Sequence, residues 1–298
     1  MSAPGPAAPF ARATSFLRWS FDNPPDADCA EALQKHYAAY CEDLGSIDYV
    51  WEHVERRASI LGAAGRQGAR VLEVGCGIGS NCLWAAVNGG SLTGIEVRGW
   101  DVEIASRRQR HLEAVLGRRL DCRFLRANAL DFGDRDGYDL VFLQEAFHHL
   151  EPRGAAVSRL ASLVGPGGRL VLQETNAWNP LIQARLLRRR GFRTVVARRE
   201  PTTGQAYTYG NERIITPWAL DRLFRPLGFV THATYFRLRR RGWRAYGSSR
   251  ASPERSSAEW DRGRPGDRST SSTSGSATGG HRNPGLLHGE ALISRKPS

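Results

Sequence analysis

Apolar positions recur with two different periods along this chain, and the change of period divides it. Between residues 28 and 62 the spacing is helical. Cys29, Leu33, Tyr37 and Tyr40 or Cys41 mark one helix over 28–44, and Ile47, Val50, Trp51, Val54, Ala58 and Leu61 mark a second over 47–62. From residue 70 onward, short apolar runs with strand propensity alternate with helical stretches. Strands are predicted at 70–74, 92–97, 122–125, 138–143 and 169–173, and helices at 81–87, 100–117 and 155–164. Gly89-Gly90, Gly117 and the run Gly165-Pro166-Gly167-Gly168 stop those helices. The 138–143 run is apolar apart from Asp139, as expected of a strand covered on both faces.

This alternation predicts an α/β fold. It is a doubly wound, Rossmann-like three-layer sandwich with a mainly parallel sheet, preceded by an N-terminal helical extension. Further on, the pattern gives a helix at 180–190, an irregular polar stretch over 191–216, a helix over 217–227 and a strand at 229–238. Thr216 is placed to cap the helix that Pro217 begins. The expected organisation is a flexible Pro- and Ala-rich 1–27, a helical lid over 28–64, and a main domain over 65–240 with an insertion at 176–216. Residues 247–285 contain no Val, Ile, Leu or Phe and hold ten Ser, which predicts disorder. Residues 286–298 regain a pattern, with Ala291-Leu292-Ile293 as either a late strand or part of a tail.

Composition narrows the picture. The chain has 298 residues, 41% of them hydrophobic, enough for a sizeable core. No apolar run is long enough to span a membrane. Five cysteines without CxxC spacing argue against a disulfide framework or a zinc site, and a reducing cytoplasm is expected. The net charge of +12 invites a nucleic-acid reading. Residues 240–298, however, carry eleven basic and five acidic residues, so half of the excess lies in the tail. Lys35 and Lys296 are the only lysines, a bias toward Arg that is mostly compositional.

The candidate chemistry begins where the 70–74 strand ends. The order Glu73-x-Gly75-x-Gly77-x-Gly79 supplies a turn that can lay bare backbone against a nucleoside-bearing ligand. Glu96 follows at the end of the next strand, where a carboxylate can accept from both hydroxyls of a ribose. Asn128 and Ala129 follow the third strand. Gln144 and Glu145 end the fourth, with His148 and His149 just beyond.

These motifs resemble the class I S-adenosylmethionine-dependent methyltransferases, over about residues 46–238 with the specific motifs in 71–175. The resemblance implies S-adenosyl-L-methionine as cofactor, bound by Glu73, Gly75, Gly77, Gly79, Glu96, Val97, Asn128, Ala129, Gln144 and Glu145. Asn128 stands where the family usually has an acidic residue that accepts from the adenine, with Asp131 as the alternative partner. It also implies in-line displacement at the methyl carbon, no metal, and His148 or His149 as a base for a hydroxyl or carboxyl acceptor. Glu174, ending the fifth strand, would contact substrate. A dinucleotide is the rival ligand. It fits less well, because the third glycine is misplaced for G-x-G-x-x-G and Glu73 would face an anionic pyrophosphate.

The base-clamping and nucleophile motifs of nucleic-acid methyltransferases are not found, and the expected acceptor is a small molecule of the biosynthetic kind. Trp178, Tyr207, Tyr209 and nearby arginines of the insertion would help bind it. An RNA or protein methyltransferase, and a non-catalytic cofactor-binding partner protein, are the alternatives. The oligomeric state is left open.

Overall fold

The apolar runs become the strands of one twisted sheet. The computed structural model describes residues 10–44, 54–55, 61, 68–134, 136–199, 204, 206–237 and 288–295. Apart from 54–55 and 61, the helix expected over 47–62 lies outside the described residues, as does the segment 247–285. In chain order the elements begin with helices α1 (Ala13–Asp22) and α2 (Ala27–Leu44). There follow β1 (Arg70–Val74), α3 (Ser80–Val87), β2 (Ser91–Glu96), α4 (Gly99–Leu116), β3 (Cys122–Arg126) and β4 (Tyr138–Gln144). After a 3-10 turn, Phe147–His149, come α5 (Arg153–Leu163), β5 (Val164–Thr175) and α6 (Pro180–Arg190). The remainder is β6 (Val195–Arg199), β7 (Ala206–Gly210), α7 (Pro217–Phe224), β8 (Phe229–Arg237) and β9 (His288–Arg295).

The large sheet has the order β3-β2-β1-β4-β5-β9-β8. The first five strands run parallel, and β9 pairs antiparallel with both β5 and β8. The 286–298 stretch therefore supplies a strand, through 288–295, that sits inside the sheet rather than at its edge. The strand order reverses between β1 and β4, and in open α/β sheets the carboxyl ends beside such a reversal form a crevice.

Both faces of the sheet are covered. On one, Val141, Leu143, Leu170 and Leu172 pack with Leu160 of α5, Leu220 and Phe224 of α7, and Phe147. On the other, Val71, Leu140, Phe142 and Val171 meet Cys82, Leu83 and Ala86 of α3 and Leu112 of α4. Such buried aliphatic groups each contribute roughly 1.5–3 kcal/mol of transfer free energy.

Three expectations change. Residues 1–27 were expected to be flexible, yet α1 is a formed helix whose Phe16 and Leu17, with Phe10 ahead of it, are buried. Phe10 also binds Trp84, whose indole N–H donates to its carbonyl at 3.0 Å. No proline falls between Pro9 and Pro24, and the aromatic and aliphatic residues in that interval supply enough apolar area to order it. The 191–216 stretch, expected to be irregular, contains the antiparallel hairpin β6–β7. Finally, the Gly165–Gly168 run lies within β5 as a bulge, since the pairing jumps from Tyr138↔Val164 to Leu140↔Arg169.

Thr216 caps α7 as expected, its hydroxyl accepting from the Ala219 N–H at 3.2 Å. Thr216→Ala is expected to destabilise the fold by about 1 kcal/mol, with Thr216→Ser near neutral, in urea melts. Equal midpoints for all three proteins would show that the cap contributes nothing.

Candidate functional site

A cavity of about 700 Å³ opens at the carboxyl ends of β1, β2 and β4, beside the reversal in strand order. Its floor is the turn after β1. Gly75 has φ +75°, and a Cβ there would lie 2.8 Å from the Cβ of Ala146. A Cβ on Gly77 would meet only the His36 ring, at 3.8 Å, so that position leaves backbone facing open space. Gly79 differs. It does not line the cavity, and a Cβ there would collide with the Phe124 ring at 2.6 Å. Its left-handed backbone starts α3, so its role is close packing rather than ligand contact.

Glu96 joins the turn to the end of β2. One carboxylate oxygen accepts from the Gly77 N–H at 3.2 Å, and the other from Val97 N–H at 2.8 Å and Arg98 N–H at 3.2 Å. Burial raises its pKa and Asp101 adds to the rise, while the N–H donors of Arg98 and Gly77 oppose it. The carboxylate is thus pinned at the cavity wall with acceptor capacity to spare.

Glu73 is buried below the turn, where it accepts from the Asn81 amide at 2.7 Å and the Cys82 thiol at 3.0 Å. The same Asn81 amide donates to Gln144 at 3.0 Å, tying the ends of β1 and β4 together through α3. Cys76 and Cys82 are buried thiols held well above their ordinary pKa. Burial leads for Cys76, and a hydrogen bond with Cys122 followed by burial for Cys82, so neither is a nucleophile at neutral pH. Val97, Asn128, Ala129 and Glu145 also line the cavity. The Asn128 side-chain carbonyl accepts from the Leu130 N–H at 3.0 Å, so it already closes an Asx turn. Asp131, the alternative partner, lines the same cavity.

The two histidines separate sharply. His148 is buried outside the cavity lining, and its Nδ1–H donates to Glu174 at 2.5 Å. Glu145 lies 3.8 Å from that nitrogen, and Glu212 lies 3.7 Å from Nε2. Burial disfavours the charge, but the three carboxylates overcome it and raise the His148 pKa to about 9. Ligand-capable atoms of Glu145, His148 and Glu174 lie within 4.8 Å of one another, as do those of His148, His149 and Glu212. The side chain expected to act beside the ligand is thus placed away from the cavity, among carboxylates.

His149 does line the cavity. Its Nδ1–H donates to the Gly210 carbonyl at 2.8 Å, and its ring stacks on Tyr209 at 4.4 Å and 17°. Burial and the neighbouring His148 charge push its pKa down to about 3. The ring is therefore neutral, with its lone pair on Nε2.

Glu174 departs from its expected role as well. It is buried, and it accepts from Ala146 N–H at 3.0 Å, Phe147 N–H at 2.7 Å and His148. It organises the loop after β4 and does not reach the cavity.

The hairpin β6–β7 and helix α2 complete the walls. Tyr207, Tyr209 and Arg198 come from the hairpin, and His36 and Tyr37 from α2. The Arg198 guanidinium sits 3.8 Å over the Tyr209 ring, so Arg198, Tyr209 and His149 form one stack. Trp178, expected beside them, is instead exposed and packs on Trp218 at 5.0 Å. His36 and Tyr37 were not anticipated as lining residues, because helical spacing marks the apolar side of α2 without saying that it faces a cavity.

A sequence model of a family described as a methyltransferase domain matches residues 48–234. A methyltransferase from Streptomyces halstedii, GfsG, is 31% identical over 47% of this chain and 50% of its own length. The O-methyltransferase resE of Aspergillus sclerotiorum is 28% identical over 46% of this chain and 52% of its own. The chain thus spans about half the length of these curated relatives. Among solved structures, a SAM-dependent methyltransferase from Methanosarcina mazei superposes with a TM-score of 0.52 at 17% identity. That match covers 80% of this chain and 98% of the other, and it speaks to the fold.

Proposed function

Because this chain belongs to the methyltransferase-domain family, we propose that it transfers a methyl group from S-adenosylmethionine to a small-molecule acceptor, by O- or N-methylation. The observation that carries this reading is the pairing of bare backbone at Gly75 and Gly77 with the Glu96 carboxylate on one cavity wall. A nucleoside fits such a wall, since its ribose presents two hydroxyl donors and its sugar needs close approach. Glu96 would hold the ribose, Val97 and Asn128–Ala129 the adenine, and Glu73 with Gln144 the amino-acid end. The acidic lining suits a cationic ligand: Glu73, Glu96, Asp101, Asp131 and Glu145 all line the cavity.

When bound, S-adenosylmethionine supplies a methyl group already activated by its sulfonium, so the protein's contribution is alignment and exclusion of water. The stack of Arg198, Tyr209 and His149, in a cavity that His36 and Tyr37 also line, suits a flat or anionic acceptor. With Nδ1–H committed to Gly210, His149 can accept a hydrogen bond from an acceptor hydroxyl at Nε2. Its depressed pKa makes it an orienting acceptor more than a strong base.

Calorimetry on the purified chain tests the reading. S-adenosylmethionine and S-adenosylhomocysteine are expected to bind one per chain, and NAD is not. Binding of NAD alone would move the assignment to a dinucleotide enzyme, and binding of none of the three would remove the enzyme reading.

A further inference from the structure

Outside the cavity, the segment 176–199 combines two properties that rarely coincide on a free surface. It carries seven arginines and no Asp or Glu. It also exposes large apolar side chains: Phe192 is 90% exposed, Trp178 61% and Leu181 54%, while Trp218 of the adjoining α7 is 56% exposed. The isolated bridge Asn176↔Ile215 brings the two chain segments together, and the Trp178 and Trp218 rings meet at 5.0 Å.

Helix α6 shows how the surface is built. Ile182 and Leu186 turn toward the body of the protein and are buried. Leu181, Arg185 and Arg188 lie one turn apart along another face, and all three are exposed. A helix packed only for stability would place polar residues where Leu181 and Leu187 stand. Asn179 caps the helix by accepting from Leu181 and Ile182 N–H at 3.0 and 3.3 Å, so the surface rests on a well-defined element.

We propose that this face, built from Trp178, Leu181, Phe192 and Trp218 with Arg188 and Arg193, docks on the surface of an anionic phospholipid bilayer. Trp and Leu side chains would enter the headgroup boundary, and the guanidinium groups would meet lipid phosphates. Charge complementarity selects an anionic partner. The exposed aliphatic and aromatic groups select a lipid over a nucleic acid, because Leu181 and Leu187 have no use against a phosphate backbone. Arg198 belongs to the same basic segment and lines the cavity, so docking would set the cavity entrance near the bilayer. That last step rests on the proposed function, since it implies an acceptor held in or on the lipid phase; the docking itself does not.

Sedimentation of the full chain with vesicles tests the proposal, using phosphatidylcholine alone and phosphatidylcholine mixed with phosphatidylglycerol, at low and high salt. The chain is expected to pellet with the mixed vesicles at low salt, and less with neutral vesicles or at high salt. Arg188→Glu with Arg193→Glu is expected to lower partitioning roughly tenfold or more. Trp178→Ser with Trp218→Ser is expected to reduce the residual binding at high salt. Thermal melts followed by circular dichroism on each variant report an intact fold without any cofactor, so loss of docking and failure of the cofactor reading remain distinguishable. A wild-type chain that stays in the supernatant with mixed vesicles at low salt overturns the proposal without recourse to any variant. So does an RNA oligonucleotide that binds where vesicles do not, or a dimer in light scattering that the Trp variants dissociate.

Discussion

Glu174→Ala is expected to destabilise the protein by about 3–5 kcal/mol, the usual effect of removing one partner from a buried ion pair. The carboxylate serves three donors at once: the N–H groups of Ala146 and Phe147, and the His148 ring. Without it, the buried imidazolium faces only Glu145 at 3.8 Å and Glu212 at 3.7 Å. A drop of about 6–20 °C in melting temperature is expected for a chain of this size.

The same pair sets a pH dependence. The folded His148 pKa of about 9 lies above the ordinary value of 6.5. Its stabilising contribution is therefore fully present below pH 6.5 and is lost as the pH rises through about 9. Wild-type stability should fall over that window by up to roughly 3 kcal/mol, and Glu174→Gln should flatten the slope. Urea denaturation at several pH values measures both. A wild-type curve that is level from pH 6 to 10 would show that His148 is not held as a cation.

Glu96→Ala is expected to weaken S-adenosylmethionine binding about 100-fold or more, from two lost hydrogen bonds to a charged acceptor at roughly 1.5–3 kcal/mol each. Glu96→Gln keeps the shape and one acceptor oxygen, so a smaller loss of about tenfold is expected. Titration calorimetry gives the affinities, and a melting curve checks that the loop held through Gly77 and Val97 survives. An affinity within about threefold of wild type would place the ribose elsewhere, since even one such bond is worth about tenfold.

The sheet was legible because a parallel strand must be apolar on both faces, and Tyr138–Gln144 is apolar almost throughout. The residues that line the cavity were legible for a related reason. The crevice of such a sheet opens at the strand ends, so strand prediction alone places Glu73, Glu96 and Gln144 beside it. What the sequence hid depends on side-chain direction. His148 and His149 are adjacent in one 3-10 turn, yet one enters a carboxylate cluster and the other the cavity. No spacing rule distinguishes them. The hairpin β6–β7 was hidden because Val195–Arg199 is largely exposed and lacks clean alternation. Tertiary contacts hold it: the bridge Leu150↔Tyr209 and the Gly210 carbonyl on His149.

The late strand β9 changes how the chain can be handled. Arg237 at the end of β8 pairs directly with His288 at the start of β9, so the two ends of the fifty-residue stretch 238–287 emerge side by side. That stretch is a natural insertion point, where a linker of a few residues or a foreign domain could replace it without stretching the ladder. Cutting the chain after residue 237 is a different operation. It removes a strand flanked on both sides, leaving β5 and β8 as raw edges with a vacancy between them. Residues 288–295 belong to the middle of the sheet, and a shortened version made by trimming what resembles a tail would expose a template for aggregation.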